Sequence, residues 1–299
     1  MKHQYDYAVL GGDLRQVYLA EALADQGNRV CHHALCALPD LCRCQAPSSL
    51  TAEDSLEKIC SLSSCVVCPI PLSRDGEFLN QSAGGGAFSI DQLVKNLNPG
   101  QFFFAGCIPG SVKEELRQKN VHTIDLMKNP SFCRFNSTAT AEGALCEAIA
   151  NSPLTLHHSS CAVLGYGNCG SAICAYLKGM FCRLYVASRE EGERAQAALF
   201  ADRTGSLEEF QRCAGAFDFI FNTIPAMVLP APVLKNLKHS VTVLDIASAP
   251  GGVDYASAKE LGIRALPCPG LPGRYAPGSS AKVIKEIIER YVKGDSKCL

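Results

Sequence analysis

Short apolar runs alternate along this chain with stretches whose apolar residues return at helical spacing. A short run bounded by turn residues describes a buried strand; a return every three or four positions describes a helix with one face on a core. Tyr5 to Leu10 reads as a strand, closed by Gly11-Gly12-Asp13 and followed by a helix to about Gln26. Ser64 to Cys68 is a strand ending at Pro69, and a loop rich in Gly, Ser and Pro, including Gly84-Gly85-Gly86, comes after it. A helix near Ile90 to Leu97, a strand from Gln101 to Ala105, a helix from Ser111 to Lys119 and a strand from Val121 to Asp125 continue the pattern. Alternation of this kind builds a parallel sheet.

A helix rich in Ala, Glu and Leu is expected from about Thr138 to Ala150, and Asn151-Ser152-Pro153 then breaks the pattern. A domain boundary is expected there. Ser160 to Leu164 opens a second series as a buried strand, with a glycine loop and a helix to about Met180 behind it. Strands follow at Cys182 to Ala187, Phe217 to Asn222, Val241 to Ile246 and Ile263 to Leu266, and an amphipathic helix at Ser280 to Val292 ends the pattern. The fold class expected is α/β: two Rossmann-like domains with parallel sheets and a cleft between them. Residues 1–150 form a substrate or partner domain and residues 151–299 a dinucleotide-binding domain, with the last helix, about 280–293, packing back on the first.

With 299 residues the chain can hold two cores, and 47% apolar with 19% charged residues is a globular composition that argues against disorder. A net charge of -1 without Lys/Arg runs speaks against nucleic-acid and membrane surfaces. No apolar stretch approaches the roughly 18 residues of a spanning helix, and Met1 to Leu10 runs straight into a strand without signal-peptide shape. The expectation is a soluble, cytoplasmic protein. Its 17 cysteines, an odd count, then read as reduced thiols that serve as small buried hydrophobes. A metal site would have to come from Cys31, Cys36, Cys42 and Cys44, whose spacing is irregular, and no metal is expected.

The chemistry concentrates at Gly165-Tyr166-Gly167-Asn168-Cys169-Gly170, set between a strand and a helix. In that context Gly165 permits the tight turn, Gly167 lets a pyrophosphate approach the backbone, and Gly170 lets helix and strand pack closely. The helix start offers free N–H groups to the phosphates. Where an NAD site usually places an acid to read the ribose, this chain has Ala187-Ser188-Arg189. Ser188 and Arg189 suit a 2′-phosphate, which favours NADP(H) over NAD(H); an exposed helix-start arginine is the plainer reading of Arg189. Two later strand ends, Asn222-Thr223-Ile224-Pro225 and Asp245-Ile246-Ala247-Ser248, are cofactor contacts or turn caps.

At these residues the chain resembles the A-type subunit family of dipicolinate synthase. The matching segments are Gly11-Gly12-Asp13-Leu14-Arg15-Gln16, Pro69 to Gly76, Asn136-Ser137 with Glu142-Gly143, the glycine loop, Asn222 to Pro225, Asp245 to Ser248 with Pro250-Gly251-Gly252, and Pro269-Gly270-Leu271-Pro272-Gly273 with Ala276-Pro277. The chain departs from that pattern at Ala139, where proline is usual, and at Ala249 and Gly278, where a basic residue is usual. The resemblance implies a sporulation protein of the bacterial mother cell. It would work with a flavoprotein-like B-type subunit of dipicolinate synthase to make pyridine-2,6-dicarboxylate by NADP-dependent oxidation of dihydrodipicolinate, and it leaves self-association open.

A dicarboxylate needs cations and backbone donors. The substrate candidates are Asp13, Arg15, Ser73, Arg74, Asn136 and Arg274, and the candidate bases are Glu142 and Asp75. Each could equally be a surface or helix-start charge. Two other functions stay open. One is a non-catalytic NADP(H)-binding subunit, because no histidine stands beside a matched segment. The other is an NADP enzyme of the shikimate dehydrogenase type, although that family's Ser-x-Ser start is replaced here by Gly11-Gly12-Asp13.

Overall fold

The computed structural model describes residues 3–36, 49–82 and 88–294. The chain divides into two compact units, residues 1–135 with 276–299, and residues 136–275.

In the first unit β1 (Tyr5–Leu10), α1 (Leu14–Ala24), β2 (Val30–His33), β3 (Leu50–Ala52), α2 (Leu56–Leu62), β4 (Ser63–Val67), α3 (Ile90–Asn96), β5 (Phe102–Ala105), α4 (Gly110–Gln118) and β6 (His122–Asp125) follow in order. The strands pair in parallel in the order β3-β2-β1-β4-β5-β6. Successive residues face opposite sides of the sheet, as strand geometry requires. Ala8, Leu10, Val66, Cys68 and Phe103 enter one buried cluster, while Tyr7, Val9, Cys65, Val67 and Phe104 enter another. The second cluster is completed by α12 (Pro277–Val292), whose Ala281, Ile284, Ile287 and Ile288 share one helical face and pack with Leu19, Ala20 and Leu23 of α1.

α5 (Pro130–Ala150) starts eight residues before the helix expected from Thr138. Asn129 caps it by accepting the N–H of Phe132 at 3.0 Å, and Pro130 stands in its first turn, where no intrahelical donor is needed. The break at Asn151-Ser152-Pro153 marks the end of this helix, whereas the division between the units falls inside it, at residue 136.

The second unit contains β7 (Ser160–Leu164), α6 (Asn168–Gly179), β8 (Arg183–Ala187), α7 (Glu191–Ala197), β9 (Arg203–Gly205), α8 (Leu207–Cys213), β10 (Phe219–Asn222), α9 (Ala231–Leu234), β11 (Thr242–Asp245), α10 (Tyr255–Glu260), β12 (Arg264–Pro267) and α11 (Leu271–Tyr275). Its sheet runs β12-β11-β10-β7-β8-β9, again parallel throughout. Cys161, Val163, Leu184, Val186, Phe219 and Phe221 face one core, and Ala162, Leu164, Tyr185, Ala187 and Ile220 face the other. Read from its first strand, each sheet has the order 3-2-1-4-5-6. The chain order reverses beside β1 in one sheet and beside β7 in the other, and open α/β sheets bind ligands at the carboxyl ends of the strands there.

Candidate functional site

At the reversal point of the second sheet, β7 ends in Leu164 and the glycine loop turns the chain into α6. Gly165 has φ +91°, and a Cβ there would meet Thr223 Oγ1 at 2.5 Å. Thr223 itself closes the gap between β7 and β10, its hydroxyl donating to the Leu164 carbonyl at 2.8 Å. A Cβ on Gly170 would overlap the Gly165 carbonyl, so that glycine is required by the packing of α6 on its strand. Gly167 is different. Nothing lies within 4 Å of its Cβ position, and the space above it is open. Gly167 caps α6, the helix has no acidic residue in its first turn, and the leading N–H groups at Asn168 and Cys169 face no helical acceptor.

These residues line a cleft of about 350 Å³ together with Ser188, Arg189, Glu190, Glu193, Thr223, Ile224 and Pro225. A dinucleotide fits this cradle, with bare backbone at Gly167 and helix-start donors below it. A larger depression of about 830 Å³ near Glu208, Cys213 and Asn236 lies by the connections that lead into the amino ends of β10 and β11. It is the wrong end of the sheet for a cofactor.

The end of the cleft beside β8 differs from expectation. Ser188 is buried, and its hydroxyl donates to Glu193 Oε2 at 2.5 Å while accepting the Glu190 N–H. The same Glu193 oxygen accepts the Tyr166 N–H at 3.3 Å. Arg194 Nη1 donates to the carbonyls of Ser188 and Arg189 and so holds the loop. Arg189 is exposed and makes no ion pair among the described residues. The strand tip, where an acidic ribose reader is expected, does not reveal Glu193. Its signal is an acid in the first turn of α7, five residues beyond Ser188.

Asn222 and Asp245 were expected among the cofactor contacts. Both are buried instead, and they bind each other: Asn222 Nδ2 donates to Asp245 Oδ1 at 2.8 Å and to the Ile224 carbonyl at 3.1 Å. Asn222 Oδ1 accepts the Ile224 N–H, and Asp245 Oδ2 accepts from the Gly252 N–H and the Tyr255 hydroxyl. Both ends of the Asn222 amide are engaged, so its side chain braces the Thr223–Pro225 lip.

The corresponding point of the first sheet is closed by the chain itself. Gly12 donates its N–H to the Asn80 carbonyl at 2.8 Å and accepts from Ser82 N, and a Cβ on Gly11 would meet the Asn80 carbonyl at 2.8 Å. Gly11 and Gly12 thus make room for the chain's own loop. Asp13 caps α1, and its carboxylate binds the Arg15 guanidinium at 2.8 Å. Arg15 is buried and also donates to the Ile70 carbonyl at 2.7 Å, so its charge is spent inside the unit.

Asp75 is occupied as well. Its carboxylate accepts from Phe78 N, Glu77 N and the Ser73 hydroxyl, which together hold it below the usual carboxylate range and make it a poor base. Ser73 further accepts the Gly76 N–H. Arg74, on the same loop, is exposed and makes no ion pair among the described residues. Asn136 lies within α5, where its carbonyl accepts the Thr140 hydroxyl. Glu142 is exposed on α5 and accepts the Tyr176 hydroxyl at 3.0 Å. Arg274 pairs with Glu147 at 2.6 Å, and the Tyr275 hydroxyl donates to the same carboxylate.

Among the described residues no group of three or more His, Cys, Asp or Glu is placed to hold a metal. Cys31 is buried against Ser63, while Cys42 and Cys44 lie outside the described residues, as do Gly84, Gly85 and Gly86. Burial pushes the thiols of Cys60, Cys65 and Cys68 up, which makes them inert. Among the described residues no helix is long and apolar enough to cross a membrane.

Residues 6–127 match the family of N-terminal domains of the dipicolinate synthase A-type subunit. Over 297 residues the chain is 27% identical to the dipicolinate synthase A-type subunit of Bacillus subtilis (strain 168), covering 95% of this chain and 94% of that protein. This chain is similar to the dipicolinate synthase A-type subunit along almost its whole length. The crystal structure of the corresponding protein from Bacillus halodurans superposes with a TM-score of 0.79 at 23% identity, covering 97% of this chain and 98% of that one. A transhydrogenase from Sinorhizobium meliloti superposes at 0.63 and 14% identity, covering 94% and 89%. The likeness to the dipicolinate synthase A-type subunit, carried in sequence by Gly11 to Gln16 and Pro269 to Gly273, thus holds, and so does the expected α/β class of two Rossmann-like units with parallel sheets.

Proposed function

We propose that this chain is the dinucleotide-binding subunit of a dipicolinate synthase and oxidises dihydrodipicolinate to dipicolinate during sporulation. The observation that carries the reading is the open cradle at Gly167, at the reversal point of the second sheet, in a chain similar throughout to the dipicolinate synthase A-type subunit. When bound, a nicotinamide dinucleotide supplies the hydride acceptor. Gly165 to Gly170 receive its pyrophosphate, Thr223 to Pro225 form the lip beside it, and Arg189 meets a 2′-phosphate, so that NADP(H) is bound. The substrate gives up a hydride and a proton, and the ring becomes aromatic. Of the candidate arginines, Arg74, exposed and without an ion pair among the described residues, meets a substrate carboxylate, and Glu142 or water takes the proton. A flavoprotein-like partner, the B-type subunit, completes the complex.

A second reading, a binding subunit whose partner carries the chemistry, is favoured by the internal engagement of Asp75, Arg15 and Arg274. The test is NADP⁺ reduction with enzymatically generated dihydrodipicolinate, with and without the partner. Turnover by the chain alone supports the first reading, and turnover only with the partner supports the second. Failure to turn over in both, with no dinucleotide bound, removes them together.

A further inference from the structure

We propose that Glu193 is the residue that reads the adenosine ribose, and that it opposes the 2′-phosphate that Arg189 attracts. The inference rests on the dinucleotide reading of the cleft. The strand tip that carries the acidic ribose reader in NAD sites holds Ala187, Ser188 and Arg189 here. The acid comes instead from α7. Glu193 reaches back to the cleft wall, and one carboxylate oxygen accepts both the Ser188 hydroxyl and the Tyr166 N–H. Ser188 and Tyr166 stand at the end of β8 and inside the glycine loop, so Glu193 bridges the two segments between which an adenosine ribose sits in this fold.

The chemistry then divides by charge. An ionised carboxylate has only acceptors, and a ribose diol brings donors to meet them. A 2′-phosphate brings acceptors and nearly two negative charges to the same carboxylate. Ser188, which could have donated to that phosphate, is already committed to Glu193 and to the Glu190 N–H. Arg189, exposed beside it, is the one opposing cation lining this end of the cleft among the described residues, while Arg194 is tied to the Ser188 and Arg189 carbonyls. Glu193 and Arg189 therefore act as opposed weights on one choice. The pair sets how strongly the site prefers NADP(H); Arg189 can be removed without touching the glycine loop, whereas Glu193 also holds the Tyr166 N–H of that loop, so its substitution must keep an acceptor there.

The test is titration calorimetry of wild type, Glu193→Gln and Arg189→Ala with NADP⁺ and with NAD⁺, alongside thermal unfolding of each protein. Glu193→Gln keeps a side-chain acceptor for Ser188 and Tyr166 while losing the charge. It should raise the affinity ratio of NADP⁺ to NAD⁺ about tenfold, and more at low salt. Arg189→Ala should lower the same ratio by about tenfold. A ratio unmoved in Glu193→Gln, or equal losses for both cofactors, overturns the assignment and leaves Glu193 a structural latch while the dinucleotide reading stands. Wild-type protein that binds neither cofactor sinks that reading and the inference with it.

Discussion

The carbonyl oxygen of Gly165 occupies the space that a Cβ on Gly170 would need. Gly167, between them in sequence, has no neighbour within 4 Å of its own Cβ position. The glycines of one loop thus answer differently to the fold: its packing requires Gly170 and leaves Gly167 free.

Substitution should separate the two glycines. Gly170→Ala forces backbone apart at the β7–α6 junction and should cost about 1–3 kcal/mol of stability. Gly167→Ala should leave unfolding unchanged and weaken dinucleotide binding by at least about tenfold, or 1.4 kcal/mol. Urea unfolding and calorimetry on both variants check this. A destabilised Gly167→Ala protein, or one that binds normally, would refute the division of roles.

Arg15 carries a structural prediction. Its guanidinium joins Asp13 at the start of α1 to the Ile70 carbonyl beyond β4, from a buried position. Arg15→Ala leaves both acceptors without their donor and should cost about 1.5–3 kcal/mol. Lysine, a point charge without the planar fork, should restore only part of that. If Arg15→Ala unfolds like wild type but raises KM for the substrate, the residue is the carboxylate clamp after all.

Acid stability should depend on Asp218. Burial works against its charged form, but the Lys238 ammonium at 2.7 Å and the Ser160 N–H at 2.9 Å more than offset this and hold the carboxyl below its ordinary range. A carboxyl depressed in the folded state adds stability above the unfolded-state value near 4, and that stability is lost as pH falls through the folded value. Asp218→Asn should therefore be less stable at neutral pH and lose less on acidification below about pH 4. Urea midpoints from pH 7 to pH 3 measure it, and parallel curves for the two proteins would count against the role.

The central strands Tyr5–Leu10 and Ser160–Leu164 were legible in the sequence because they are buried on both faces and need no partner to be recognised. Val30–His33, whose apolar run is two residues, and the three-residue edge strands Leu50–Ala52 and Arg203–Gly205 were not, since so few residues carry no pattern. The first turns of α5 were hidden by Ser131, Asn136, Ser137 and Thr138, weak helix formers that tertiary packing overrides. At the site, the glycine spacing revealed the loop, because a turn of that shape has few sequence solutions. The partners of Arg15, Asp75 and Arg274 were not visible. A charged residue looks the same in sequence whether its partner is a substrate or a neighbour brought in by the fold, as the Ile70 carbonyl and the Glu147 carboxylate are.

Asn222 poses that question most sharply, and a single substitution answers it. As a cofactor contact, it would matter only when a dinucleotide is present. As a brace, it matters always, because its amide joins Asp245 to both the N–H and the carbonyl of Ile224. Asn222→Ala leaves the buried Asp245 with one donor fewer and removes the side-chain partners of the Ile224 groups, at a cost of about 1–3 kcal/mol. Ile224 and Pro225 line the cleft, so dinucleotide affinity should fall along with stability. Asp245→Asn should do the same from the other side, because an amide placed between the Gly252 N–H, the Tyr255 hydroxyl and the Asn222 amide must turn a donor toward a donor. The double variant should lose less than the two single losses added together, since removing either partner already breaks the shared bond. Unfolding midpoints unchanged in Asn222→Ala, with binding lost, would return Asn222 to the cofactor.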